Sequence, residues 1–286
     1  MKIVFVIETF LMTLKSFFRI LFTNIKRSKL KNVKRTEDTC YVFANGPSLK
    51  KDIEPHLDFF QNKDVVVLNH FVMSDYFTKI KPRYYFCIDP IFLKDTPEEN
   101  ITDTLTNIKN KVNWKMYLLI PNIPHVVKRF IAFYKENVHI EIIPISTITI
   151  EGFRCFTHFC YSNNLGMPSP QTVANAAIFI PVNLGYKKIF VWGIDHTWHK
   201  NIHVDENNEL FIVFDRFYEN GEQPKTPIKH SVTSRPLLAH EPFISLARAL
   251  QSHHLINKYA QKNDCKIYNA SSVSLVDAYE RTKNIF

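Results

Sequence analysis

Glycine is scarce in this chain, six residues in 286, and no Gly-x-Gly-x-x-Gly follows an apolar run. That absence argues against a dinucleotide enzyme, and the lack of a Gly-x-x-x-x-Gly-Lys-Ser/Thr loop argues against a P-loop kinase. No Asp-x-Asp occurs, so there is no obvious carboxylate pair to hold a divalent ion on a diphosphate. The five cysteines, Cys40, Cys87, Cys155, Cys160 and Cys265, form no Cys-x-x-Cys pair. They read as reduced core residues, neither a disulfide frame nor a zinc site. Internal repeats and low-complexity tracts are missing too. With 45% hydrophobic residues, the chain reads as one large or two modest globular domains.

What is present in excess is positive charge, +9 in all. Residues 1–35 hold nine Lys or Arg against the single acid Glu8, so they carry +8 and leave about +1 for the other 251. A nucleic-acid partner is therefore not expected, because it would call for basic surface on the folded body. In the leader Val4, Ile7, Leu11, Leu14, Phe18, Leu21, Phe22 and Ile25 recur at helical spacing, with Lys15, Ser16, Arg19 and Asn24 on the other side. Three charges make a poor transmembrane helix. A signal peptide is disfavoured, because the basic stretch follows the apolar part with no small-residue cleavage site between. The pattern predicts an amphipathic helix lying on an anionic membrane surface, with the basic cluster 26–35 beside it. The alternative is a helix that packs on the protein's own core.

From Cys40 onward, strand-like runs at 41–44, 65–68, 84–88, 117–120, 139–143, 189–192 and 266–268 alternate with helical patterns near 49–60, 97–112, 124–136, 170–184 and 241–262. Alternation of this kind predicts an α/β fold, a parallel sheet with helices on both faces and ligand bound beyond the carboxyl ends of the strands. Those ends are polar: Asn45-Gly46-Pro47-Ser48, Asn69-His70, Asp89-Pro90 and Gly193-Ile194-Asp195-His196. Together they predict a crevice of amide and carboxylate groups suited to a nucleotide base and ribose. A phosphate held without metal needs helix ends, hydroxyls and cations, for which Ser48, Ser169, Thr172, Arg216 and Arg235 are candidates. His196, His199 and His203 have spacings of three and four, but their segment reads as a loop or hairpin, not as a metal-binding helix. His230 and His240 sit in an irregular stretch with Pro224, Pro227 and Pro236, long enough to act as a lid. A histidine there is a candidate general base.

NGPSL at Asn45–Leu49, the strand end Asn69-His70-Phe71, Asp89-Pro90 and the block GYKKIFVWGID from Gly185 to Asp195 resemble, in order and spacing, the bacterial sialyltransferases of glycosyltransferase family 42. The likeness covers most of residues 40–280. It implies a Rossmann-like sialyltransferase-type fold for residues 39–286, with a lid at about 200–242 and a membrane-contacting leader over 1–38. It places nucleotide binding on Asn45, Gly46, Pro47, Ser48, Asn69, Asp89, Thr172, Gly193, Asp195 and His196. Two tyrosines that hold the leaving phosphate in the family fall near Thr197 and His203, and the catalytic base falls on His240, with His230 second. The family's Thr-Ser-Gly is matched by Thr172-Val173-Ala174, which keeps only the threonine. The implied donor is a nucleotide sugar, CMP-linked first with UDP-linked open, and no further cofactor or metal is required. The implied acceptor is an oligosaccharide or lipid-linked glycan at the inner face of a bacterial cytoplasmic membrane; a homo-oligomer is left open. A weaker resemblance links the NGPSL and GxD pattern to the 6-hydroxymethylpterin diphosphokinase-like family, which implies ATP and Mg²⁺. A non-catalytic nucleotide-binding partner in glycan assembly is the third reading.

Overall fold

Short runs of Val, Ile, Tyr and Phe make the strands of this chain, and Asn, Asp or Gly ends many of them. The computed structural model describes residues 2–23, 29–212, 217, 227, 229, 235–283 and 285. Its strands are β1 (Thr39–Phe43), β2 (Val65–Leu68), β3 (Tyr84–Phe86), β4 (Met116–Pro121), β5 (Ile140–Ile145), β6 (Lys188–Trp192), β7 (Ile202–Val204), β8 (Leu210–Ile212), β9 (Lys266–Asn269) and β10 (Glu280–Arg281). The helices are α1 (Lys2–Phe22), α2 (Ser48–Ile53), α3 (Tyr76–Ile80), α4 (Glu99–Lys111), α5 (Pro124–Tyr134), α6 (Arg154–Ser162), α7 (Val173–Asn183) and α8 (His240–Lys262).

Eight strands form one sheet in the order β10-β9-β6-β1-β2-β3-β4-β5, parallel at every pairing. This is a Rossmann-like α/β architecture. Alternate residues of β1 feed two separate cores: Cys40 and Val42 pack with α6, α7 and α8, while Tyr41 and Phe43 pack with α2, α3, α4 and α5. α7 is apolar all round and almost wholly buried, as a helix trapped between sheet and α8 must be. The chain runs from β1 through α2 to β2 on one side, while β6 returns to the other side of β1. Brackets of this kind leave a crevice at the strand ends, where neighbouring connections diverge.

Several elements differ from the sequence expectation. The helix expected over 49–60 ends at Ile53, because Pro55 has no amide to continue the α-helical ladder; 3-10 turns continue to Phe60. The helix expected from 170 begins at Val173, which leaves Pro170 outside it and Gln171 in a bend. α3 and α6, rich in aromatic or β-branched residues, carry little helix propensity and were not expected. Of the expected lid, β7 and β8 form an antiparallel hairpin and 235–239 leads into α8; residues 213–216, 218–226, 228 and 230–234 lie outside the described residues.

α1 is inside out. It touches the body through a polar stripe: Ser16, 1% exposed, bonds Glu151 in both directions at 2.9 Å, Thr13 Oγ1 accepts from Phe153 N at 2.9 Å, and Arg19 donates to Thr149 O at 3.3 Å. Most of its large apolar residues face away, with Ile3 76%, Phe5 69% and Phe22 79% exposed, while the half-buried Ile20 packs on the core. Gly152, at φ +124°, makes the seat, since a Cβ there would stand 2.1 Å from Thr13 Oγ1. The chain after α1 returns to the core through Leu30 and Val33. Among the described residues no helix is long and apolar enough to cross a membrane.

Candidate functional site

A cavity of about 450 Å³ opens at the carboxyl ends of β1, β2, β3 and β6, within the range of small-molecule sites. Asn45, Gly46 and Pro47 after β1, Asn69 and His70 after β2, Asp89 after β3, and Gly193 to Trp198 after β6 all line it. Thr172, Val173 and Ala174 at the start of α7 close one wall, and Leu237, Pro242 and Ser245 close another.

Two neighbouring connections are clasped together by Asp195. Its carboxylate accepts from Ser48 N at 2.9 Å and Ser48 Oγ at 2.6 Å, and Gly46 N donates to Gly193 O at 2.9 Å. The clasp works only with glycine at both contacts. A Cβ at Gly46 would lie 2.5 Å from Gly193 O, and one at Gly193 would lie 2.5 Å from Ala44 O; Gly193 also has φ +68°. Burial raises the Asp195 carboxyl above its ordinary range, against the lowering effect of the two Ser48 bonds. The first amide of α2, expected from the sequence to favour a phosphate, is therefore filled by a protein carboxylate.

Two acceptors point the other way. Asn45 donates its Nδ2 to Leu68 O at 3.1 Å, which fixes the amide so that Oδ1 is the buried atom left without a partner. Asn69, held at φ +52° by its place in the turn, also has a buried and unpartnered Oδ1. A buried acceptor left unmade costs about 1–3 kcal/mol, so two at adjacent strand ends in one cavity mark where donors of a ligand belong. Asp89 Oδ1 accepts from Ile91 N at 3.1 Å and shapes the turn after β3.

The opposite wall offers donors. α7 has eleven residues, and the first amides of a helix have no partner inside it. Asn175 anchors this end: its Oδ1 accepts from Thr172 N and Oγ1 at 3.1 and 3.0 Å, and its Nδ2 donates to Ala249 O on α8 at 3.2 Å. No Lys or Arg lines the cavity among the described residues, so the dipole of α7 is the main positive feature facing it. Nor do the described residues contain a cluster of three or more His, Cys, Asp or Glu placed to hold a metal.

Behind β6 the cavity meets a chain of rings. His196 has φ +51° and its Nε2 lies 2.9 Å from Nε2 of His253, whose Nδ1 lies 2.9 Å from Tyr279 Oη. Burial lowers the His196 imidazolium to about 4, although the ring still reaches the cavity, and holds the fully enclosed His253 well below its usual value.

Of the residues assigned from the sequence, Asn45, Gly46, Pro47, Asn69, Asp89, Thr172, Gly193, Asp195, His196 and Thr197 line one cavity, and Ser48 sits behind it on Asp195. His203 stands exposed on β7, outside the lining. His240 is the exposed first residue of α8, also outside the lining, between Leu237 and Pro242. His230 and Arg216 lie outside the described residues. Arg235 is outside the cavity lining and forms a two-pronged pair with Glu241 at 2.6 and 2.8 Å. Sequence reasoning missed Gln171, Trp198, Ser245, His253 and Tyr279. Only Ser245 carried a signal, its three-residue spacing from Pro242 on the inward face of α8.

No protein-family model matches the chain, and no curated protein shows significant similarity to it.

Proposed function

We propose that the chain is a glycosyltransferase of the sialyltransferase type, which moves a sugar from a CMP-linked donor to a hydroxyl of a surface glycan. The observation that carries this reading is the pairing, in one cavity, of two unpartnered amide oxygens on Asn45 and Asn69 with the start of α7. Ribose hydroxyls or an exocyclic base amine supply the donors that the amide oxygens lack, and the phosphate takes the α7 amides. A cavity lined by Asp89 and Asp195 but by no Lys or Arg among its described residues suits one phosphate charge better than two or three. The motif resemblance of NGPSL and GYKKIFVWGID supplies the reaction type.

In this reading the acceptor oxygen attacks the anomeric carbon as the bond to phosphate breaks, with inversion, and CMP departs. His240 takes the acceptor's proton from its place between Leu237 and Pro242, and Thr172 and Thr197 hold the departing phosphate. The outward apolar face of α1 rests on an anionic membrane surface, which brings the cavity to a lipid-linked acceptor.

Thermal unfolding with CMP, UDP, GDP and ATP with Mg²⁺ in separate samples tests the nucleotide. A ligand at a hundred times its Kd stabilises by about 2.7 kcal/mol, which raises the midpoint by about 5 °C in a chain of this size. The expected result is a shift with CMP alone. A shift only with ATP and Mg²⁺ would replace this reading with the pterin diphosphokinase-like one.

A further inference from the structure

The tautomers of His196 and His253 follow from which buried groups can be satisfied. Tyr279 is 3% exposed, and among the described residues its hydroxyl has a single hydrogen-bond contact, to His253 Nδ1. If His253 donated from Nδ1, the tyrosine proton would be buried with no acceptor, the arrangement native proteins avoid. The satisfied alignment runs the other way. Tyr279 Oη–H donates to His253 Nδ1, His253 Nε2–H donates to His196 Nε2, and the His196 proton is left on Nδ1. Among the described residues that Nδ1 makes no hydrogen bond, and His196 lines the cavity with Thr197 and the start of α7.

Resting on the reading of the cavity as a nucleotide site, we propose that neutral His196 donates from Nδ1 to a phosphoryl oxygen of the ligand, with His253 and Tyr279 as the positioning residues that set its tautomer. This gives the cavity a phosphate donor in a chain where Thr197 and His203 stand near the positions of the family's two phosphate-holding tyrosines. It also fits a histidine held in left-handed backbone conformation, whose Nε2 meets His253 on the buried face of α8. The titratable neighbours are Asp195, engaged by Ser48, His199, whose Nδ1 meets the His196 carbonyl at 3.3 Å, and His254, paired with Asp277. None of these neighbours places a carboxylate in hydrogen-bond contact with either ring, so the pair stays uncharged through neutral pH.

Nitrogen–proton NMR of the histidine rings in the whole chain tests the tautomers without any ligand. The expected result is Nδ1–H on His196 and Nε2–H on His253, with neither titrating between about pH 5 and 8. The opposite tautomers, or a charged ring, would overturn the inference. Tyr279→Phe should switch His196 toward Nε2–H and weaken CMP binding; an unchanged tautomer removes the positioning role. His196→Asn, which tolerates the positive φ, should weaken CMP binding about tenfold or more, the cost of a hydrogen bond to a charged group. CMP binding by the native chain and the variant with equal affinity overturns this inference alone. No CMP binding by the native chain, with the tautomers as expected, overturns the nucleotide reading and the phosphoryl partner together.

Discussion

At Gly46 one hydrogen atom separates a working turn from a broken one. The Cβ of an alanine would stand 2.6 Å from Asp195 Oδ1 as well as 2.5 Å from Gly193 O, and the second contact is backbone that cannot rotate away. Gly46→Ala is expected to lower stability by about 1–3 kcal/mol in urea unfolding, the usual cost of overpacking, and to abolish the nucleotide-induced shift. Titration gives a second residue-scale prediction. His196 and His253 have folded values below the unfolded 6.5, so their contribution to stability is present above that pH and is lost as pH falls toward about 4. The loss is expected to reach roughly 1.4 kcal/mol per pH unit for each histidine kept neutral. Asp195 acts in the opposite sense: its raised carboxyl favours the fold most below the ordinary carboxylate range, and that contribution fades as pH rises through its folded value. Urea unfolding from pH 7 to 4 should therefore show a net fall, and His196→Asn should flatten it.

Among the elements, α7 and α8 decide how the cavity is walled. α7 is pinned end-on to the site by Asn175, and α8 lends Pro242 and Ser245 to the lining and His253 to the ring chain. The start of α8 is held by the pairing of Glu241 with Arg235 and by the Leu238 amide, which keep the Glu241 carboxyl down to about 2. His240 lies beside this strap. If it is the acceptor base, His240→Ala lowers kcat by about 10²–10⁴ while the CMP-induced thermal shift stays as it was. A loss under tenfold would remove His240 from the role of base.

For the whole molecule, the orientation of α1 is the feature with the largest consequence. An amphipathic helix normally buries its apolar side against its own protein; this one turns Thr13, Ser16 and Arg19 inward and leaves Val4, Leu11, Phe18 and Phe22 exposed. Removal of residues 1–23 spares the buried Leu30, so it should leave the core folded. Co-sedimentation with anionic vesicles should then fall to background for the shortened chain while the full chain is retained. Equal recovery of both chains would refute membrane contact through α1.

The sequence by itself determined the sheet. Apolar runs such as Val65–Leu68 and Ile189–Trp192, short and rich in β-branched and aromatic residues, read as buried strands, and the helices between them favour parallel pairing. It also exposed the polar strand ends, because Asn45, Asn69, Asp89 and Asp195 interrupt those runs abruptly. The amphipathic period of α1 was legible too, but not the face it would turn inward, since a polar stripe reads as the outside until Glu151 and Phe153 are seen to meet it. Tertiary structure alone decided what each polar residue does. Ser48 and Asp195 are 147 positions apart, and only the crossover that sets β6 beside β1 lets one satisfy the other and occupies the first amide of α2. His253, in a helix with no unusual local pattern, gained its role from contacts 57 positions back and 26 ahead. Hydrogen bonding and burial are properties of neighbours in space, and no local spacing of residues encodes them at those separations.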